Sequence, residues 1–266
     1  MADAGTTNNS TLIAAECGLQ EKVLLTTTCN SHLLLQGPVT YSSDKVYSYE
    51  LGEKSSFFDR RMTVDLAAYY ENWSNPILPT DVAGFTLYSN GGNAGITGVE
   101  AQLRSLLPLG FDLTLNAAYT HAEFLENNNL VGYPKDAQVP DTPALTASAV
   151  LSWKHSLPDG QLLFASFEED YVGTRTDVPL GVTITVTDIN QYLVHMAAYS
   201  VDNLRFGISG DANGHGKWKA ALFVNNLTNN QALLDPQPQT TIQLFSYGRY
   251  SIMRPLTAGV DLNYQF

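Results

Sequence analysis

Charge is scarce in this sequence: 15% of its 266 residues are Asp, Glu, Lys or Arg, against about 25% in an ordinary soluble domain. The balance is acidic, with a formal net charge of -12, which excludes nucleic-acid binding because that needs a basic face. Long apolar runs are missing as well. No stretch approaches the ~20 consecutive apolar residues a helix needs to cross a bilayer, and a mean hydropathy of -0.10 excludes a helical membrane protein. Cysteine is limited to Cys17 and Cys29, with no His partner at ligand spacing. The histidines His32, His121, His155, His195 and His215 are scattered and show none of the spacings of a metal site. GxSxG, Walker A, GxGxxG and CxxC motifs are absent, so the sequence supports no enzyme chemistry, no metal and no cofactor.

What the sequence does contain is alternation. Met62, Val64, Leu66, Ala68 and Tyr70 alternate with Thr63, Asp65, Ala67 and Tyr69. Phe111, Leu113, Leu115, Ala117 and Tyr119 alternate with Asp112, Thr114, Asn116, Ala118 and Thr120. The same rhythm runs through Val99–Arg104, Leu145–Trp153 and Trp218–Asn225. In a strand, successive side chains point to opposite faces, so each segment has one apolar and one polar face. The apolar faces carry almost no charge. Lipid imposes this asymmetry, since a charge there costs roughly 2 to 4 kcal/mol at mid-bilayer.

The connections fall into two alternating classes. Short ones are Ser55–Arg60, Leu107–Gly110, Ser156–Gly160 and Asp211–Gly216. Pro-Leu-Gly and Pro-Asp-Gly are tight-turn signals, because Pro presets the first turn dihedral and Gly accepts positive φ. Long ones run over Asn75–Asn93, Glu126–Asp141, Thr176–Gln191 and Thr228–Ile252. Short turns at one rim and long loops at the other are the plan of an outer-membrane barrel, the short turns being periplasmic. The pattern predicts an all-β, antiparallel, strongly curved sheet of about nine to ten meandering strands, running from Lys45–Lys54 to Pro255–Phe266, with Gln191–Gly210 as one long strand. A tenth strand is placed around Ser31–Gln36. Single-chain bacterial barrels have an even strand number, and open sheet edges are not satisfied in lipid, so the expectation is a portion of a larger barrel.

The chain closes on Pro255-Leu-Thr-Ala-Gly-Val-Asp-Leu-Asn-Tyr-Gln-Phe266, in which Ala258, Val260, Leu262, Tyr264 and Phe266 share one face. This resembles the closing strand of bacterial outer-membrane β-barrels. Three further strings carry a narrower resemblance: Val46-Tyr-Ser-Tyr-Glu-Leu-Gly-Glu-Lys54, Asn93-Ala-Gly-Ile-Thr-Gly-Val-Glu100 and Leu222-Phe-Val-Asn-Asn-Leu-Thr-Asn229. In their order and spacing they resemble the C-terminal part of the β-barrel of TonB-dependent outer-membrane receptors, over roughly Lys45 to Phe266.

The resemblance implies an outer-membrane receptor of a Gram-negative bacterium, most often for ferric siderophores and sometimes for other scarce, bulky nutrients. It implies lipid around the barrel, the barrel-assembly machinery reading Ala258, Val260, Leu262, Tyr264 and Phe266 as an assembly signal, and TonB acting through an N-terminal plug. Residues 45–266 would be barrel and residues 1–44 an irregular surface segment. Plug and early strands are not among these residues, so the segment alone is expected not to transport. Met1-Ala-Asp-Ala-Gly5 has neither the charged start nor the apolar core of a signal peptide, so the natural beginning is expected upstream. In an oxidising periplasm Cys17 and Cys29 would pair as a loop disulfide; two unpaired thiols in a poorly ordered segment are the alternative.

Aromatic residues divide by position. Trp73, Tyr119, Trp153, Trp218 and Tyr264 lie at strand ends and read as interfacial girdle residues. Phe85, Tyr88, Tyr133 and Tyr247 lie in long loops and are the ligand candidates, although loops also use aromatics for packing. Glu168-Glu169-Asp170 reads as a solvated outer rim rather than a Ca²⁺ site, because adjacent strand residues point to opposite faces. Two other readings stay open: a passive porin-like barrel, and a soluble β-sandwich binding module.

Overall fold

The computed structural model describes residues 41–82, 85–127, 133–177, 194–212, 216–237 and 249–266. Cys17, Cys29, Tyr247 and the strand placed around Ser31–Gln36 lie outside the described residues.

The framework is one nine-stranded antiparallel meander. Its strands, in order across the sheet, are β1 (Lys45–Phe57), β2 (Met62–Ser74), β5 (Ala94–Leu106), β6 (Phe111–Phe124), β7 (Leu145–Ser156), β8 (Leu162–Val172), β11 (Tyr199–Asp211), β12 (Lys217–Asn225) and β15 (Thr257–Gln265). Every strand pairs with the next framework strand in sequence, so each connection simply reverses the chain. Among the described residues, β1 and β15 form the two ends of the sheet.

Two of the short turns fall where the turn chemistry places them, while the one expected over Ser55–Arg60 is shorter, β1 continuing to Phe57, and Asp211–Gly216 lies partly outside the described residues. Gly110 sits at φ 87° behind Pro108-Leu109, and a Cβ there would lie 2.1 Å from the Lys154 carbonyl oxygen. Only glycine tolerates both the dihedral and that approach. Gly160 closes the Pro-Asp-Gly turn at φ 83°, its N–H donating to the Leu157 carbonyl at 3.0 Å.

The long connections are more structured than period-two reading suggests. Three hold their own hairpins: β3 (Ile77–Val82) with β4 (Phe85–Asn90), β9 (Arg175–Asp177) with β10 (Val194–Met196), and β13 (Leu233–Gln237) with β14 (Arg249–Ile252). These pieces are short, and Pro79 and Pro236 interrupt their alternation. The single strand expected over Gln191–Gly210 is corrected here: Val194–Met196 belongs to the β9–β10 hairpin, and the framework strand begins at Tyr199.

Register determines which side chains share a face. Leu66 stands opposite Ala101, Ala101 opposite Ala117, and Ala117 opposite Ala147. Further along, Leu204 opposes Val224, Leu222 opposes Val260, and Ala220 opposes Leu262. The apolar positions of neighbouring strands therefore merge into one largely apolar face, interrupted by Glu53 opposite Leu66 and by Glu169 opposite Asp202. That face is exposed: Leu66 is 50% accessible, Leu222 60%, Val260 63% and Leu262 76%. A soluble sandwich would bury these residues first, since burial of apolar area drives folding in water. Here the few buried apolar side chains, among them Ala94, Phe124 and Tyr133, cluster instead at the long-connection rim. The soluble-sandwich alternative does not describe this fold.

Tyr119, Trp153, Trp218 and Tyr264 lie on the apolar face as expected, with Trp218 opposite Tyr264 and Trp153 opposite Phe111 next to the short turns. Trp73 does not. Its register partner Ala94 leads to Phe124 on the opposite, polar side, where the indole packs against the rim cluster and donates to Asp44 at 2.9 Å. One residue of register decides the face, and Trp73 follows Asn72 out of phase with Tyr70. The acidic run divides likewise: Glu168 and Asp170 share the polar face, while Glu169 stands on the other, opposite Asp202.

Candidate functional site: polar inner wall and long-connection rim

The polar face of the framework lines a concavity of about 940 Å³, bordered among others by Glu50, Lys54, Asp65, Glu100, Asn116 and Asp170. Alternation puts one polar side chain every second residue on this side, and the register brings them together in rows across the strands. One row is a chain of hydrogen bonds. Gln102 Nε2 donates to Asn116 Oδ1 at 2.9 Å, and Asn116 Nδ2 donates to Ser148 Oγ at 2.9 Å, joining β5, β6 and β7. Ion pairs form a second set: Lys54–Asp65 at 3.6 Å, Arg104–Asp112 at 2.7 Å, and Arg205–Asp261. Each retains substantial solvent exposure, so water screens each pair strongly. Together they make a hydrophilic wall rather than a source of stability.

Large aromatics on this wall lie against glycines of the adjacent strand. Phe164 pairs with Gly207, where a Cβ would fall 2.4 Å from the ring and 2.5 Å from the Ala220 carbonyl oxygen. An aromatic ring covering a bare backbone restores contact area that glycine lacks and fixes the register at that level. The Lys219 ammonium sits 4.7 Å from the centroid of the same ring, within cation–π range.

At the long-connection rim, the expected ligand aromatics separate. Tyr88 is 47% exposed on β4 of the β3–β4 hairpin, and Phe85 belongs to the same strand. Tyr133 is buried, its ring stacked on Phe124 at 4.9 Å between centroids. Its face is therefore occupied by protein. Phe85 and Tyr88 share a hairpin, whereas Tyr133 belongs to the β6–β7 connection.

Two rim residues escaped sequence reading. Asn226 is buried at positive φ (53°) just past β12. Its Nδ2 donates to the carbonyls of Asn230 and Arg254, both at 2.8 Å, and its Oδ1 accepts from the Asn230 N–H at 2.8 Å. Asn tolerates the left-handed region and satisfies local backbone groups there, which accounts for its place in the Leu222–Asn229 string. Arg175 is the other. It is a buried cation between two threonines, and nothing in its sequence surroundings distinguishes it.

At the closing strand, Ala258, Val260, Leu262, Tyr264 and Phe266 are all exposed, and the Tyr264 and Phe266 rings meet edge-on at 4.9 Å. Among the described residues no group of three or more His, Cys, Asp or Glu side chains is placed to hold a metal ion.

This combination of a lipid-compatible outside, a hydrophilic inside and elaborated connections at one rim is matched by a family model. The model, described as TonB dependent receptor-like, beta-barrel, matches residues 36–251. The chain belongs to the TonB-dependent receptor β-barrel family. Among solved structures, the ferric yersiniabactin uptake receptor FyuA from Yersinia pestis superimposes with a TM-score of 0.63 at 19% identity, over 85% of this chain and 31% of that one. BauA, the ferric preacinetobactin receptor from Acinetobacter baumannii, gives 0.62 at 14% identity, over 85% and 30%. The copper transporter OprC gives 0.59 at 16% identity, over 84% and 31%. At these identities the likeness establishes a shared TonB-dependent receptor barrel fold. The chain spans about a third of the length of each. The family is one of transport receptors rather than enzymes, and its barrels are antiparallel sheets of this kind.

Proposed function

We propose that this chain forms the C-terminal wall and outer connections of a TonB-dependent receptor in the outer membrane of a Gram-negative bacterium, taking up a scarce, bulky nutrient of the ferric-siderophore type. The observation that carries the reading is the face inversion: an exposed apolar surface shared by nine registered strands, backed by a polar, hydrogen-bonded wall. Lipid satisfies the first surface, and a hydrated interior satisfies the second. Two solved neighbours are described by their ferric-siderophore ligands, which supports that substrate class over the copper of a third.

In this reading residues 45–266 are barrel and residues 1–44 a surface segment outside the wall. Tyr88, Phe85 on the same hairpin and Tyr247 are the ligand-contact residues of this reading. Tyr133 serves the rim through its packing on Phe124. TonB acts through a plug supplied elsewhere in the receptor, the barrel-assembly machinery recognises the Ala258–Phe266 face, and no covalent chemistry is involved. With β1 and β15 as the two ends of the sheet among the described residues, this reading has the segment complete a pore only with further strands of the receptor.

The test is uptake. Cells lacking the receptor that carries this segment are grown under iron restriction with a panel of radiolabelled ferric siderophores, and with copper salts. Loss of accumulation of one siderophore class, restored by the receptor and abolished without TonB, is the expected result. TonB-independent leakage of small solutes of every class would replace this reading with a passive porin.

A further inference from the structure

Arg175 is the one charged side chain that is buried among the described residues, with 6% of its surface accessible. A buried guanidinium must find its partners within the protein, and Arg175 draws them from two connections other than its own, tying three together. Its Nε donates to Asp141 Oδ1 in the β6–β7 connection at 2.5 Å. Its Nη2 donates to the Leu234 carbonyl at 2.6 Å and the Leu233 carbonyl at 3.3 Å, both on the β13 hairpin of the β12–β15 connection. The residue itself stands on β9 in the β8–β11 connection, and its guanidinium lies 5.6 Å from the Tyr199 ring centroid at the start of β11. Backbone and side-chain bonds reinforce part of this arrangement: the Asp141 N–H donates to the Thr176 carbonyl at 2.8 Å, and Thr176 Oγ1 donates to Gln138 Oε1 at 3.3 Å.

We infer that Arg175 is a latch that makes these three connections of the long-connection rim order and release as one unit. The planar fork of arginine suits this role, because its N–H groups point in fixed, divergent directions and reach a carboxylate and two carbonyls at once. Lysine, a point charge on a flexible stem, cannot span them. Asp141 keeps most of its carboxylate at the surface, with 59% of the side chain accessible. An event at that exposed carboxylate therefore reaches the β13 hairpin through a single buried side chain. The inference rests on this geometry and holds whatever the receptor transports.

The experiment is hydrogen–deuterium exchange on the full-length receptor carrying this segment, in outer-membrane lipid, comparing wild type with Arg175→Lys, Arg175→Gln and Asp141→Asn. In both Arg175 variants the amides of residues 136–142, 194–196 and 233–237 are expected to exchange at least tenfold faster, together, while β7 and β12 keep wild-type rates. Asp141→Asn, a surface change that leaves the chain free to fold, is expected to accelerate 233–237 as well as its own connection. Acceleration confined to residues 175–177, wild-type rates at 233–237 in Asp141→Asn, or wild-type behaviour of Arg175→Lys would each overturn the latch.

Discussion

Leu222 of β12 stands directly opposite Val260 of β15, and both side chains lie open at the surface. In water such a pair would be a liability; against hydrocarbon it needs no cover. A charge on this face should then cost what a bilayer exacts. Leu222→Lys is expected to destabilise the receptor by about 2–4 kcal/mol. On the polar side Gln102→Lys should cost no more than about 1 kcal/mol, the net worth of the hydrogen bond to Asn116 that it removes. Urea unfolding in lipid vesicles measures both, and equal costs on the two faces would contradict the assignment.

Asn226 carries the rim end of β12 and β15 through its paired amide. Asn226→Ala removes the buried amide that pairs with the Asn230 and Arg254 carbonyls and the Asn230 N–H, and it places alanine in the left-handed region. The expected loss is about 2–4 kcal/mol, from three lost hydrogen bonds and backbone strain. Asn226→Gly should recover about 1 kcal/mol of this by relieving the dihedral alone. Identical stabilities for the two variants would show that the φ of 53° is not strained.

Gly207 is fixed by what lies above it. A methyl group there meets both the Phe164 ring and the Ala220 carbonyl, and the backbone oxygen cannot swing away. Gly207→Ala is expected to cost about 1–3 kcal/mol through overpacking. Pairing it with Phe164→Leu should reduce the penalty in part, because the carbonyl clash persists. Unfolding midpoints in detergent–lipid mixtures decide the matter.

The framework strands were legible because hydrocarbon on one side and water on the other leave a period-two record, as in Leu113–Tyr119 and Ala258–Phe266. The short turns were legible because Pro108-Leu-Gly110 and Pro158-Asp-Gly160 encode their own dihedrals. The rim was much less so. β3, β9, β13 and their partners are only three to six residues long, too short to carry a clear period, and Pro79 and Pro236 break their rhythm. Trp73 shows the limit of composition: a tryptophan at a strand end suggests a girdle, but its face follows from its register with Ala94. Arg175 was hidden for a related reason, since its partners Asp141, Leu233 and Leu234 meet it only in the folded chain. Tyr133 is an aromatic in a long loop, and only its stacking on Phe124 separates packing from ligand contact.

The exposed closing strand bears on assembly. If the Ala258–Phe266 face is read during insertion, Phe266→Ala in the full-length receptor should lower its outer-membrane level several-fold, while Tyr88→Ala in the β3–β4 hairpin should leave that level unchanged. Quantitative immunoblotting of outer-membrane fractions is the check. Equal levels for the two variants would remove the assembly role from Phe266.

The central claim, that the apolar face meets lipid and the polar face meets water, is tested most directly by nitroxide scanning along β15 in the reconstituted receptor. Spin labels placed singly at Ala258, Val260 and Leu262 should show high collision rates with oxygen, which partitions into hydrocarbon. Labels at Gly259, Asp261 and Asn263 should instead collide with a water-soluble nickel chelate or be shielded by interior protein. A period-two alternation in oxygen accessibility with these maxima is the predicted result. A flat profile, or oxygen maxima at 259, 261 and 263, would contradict it.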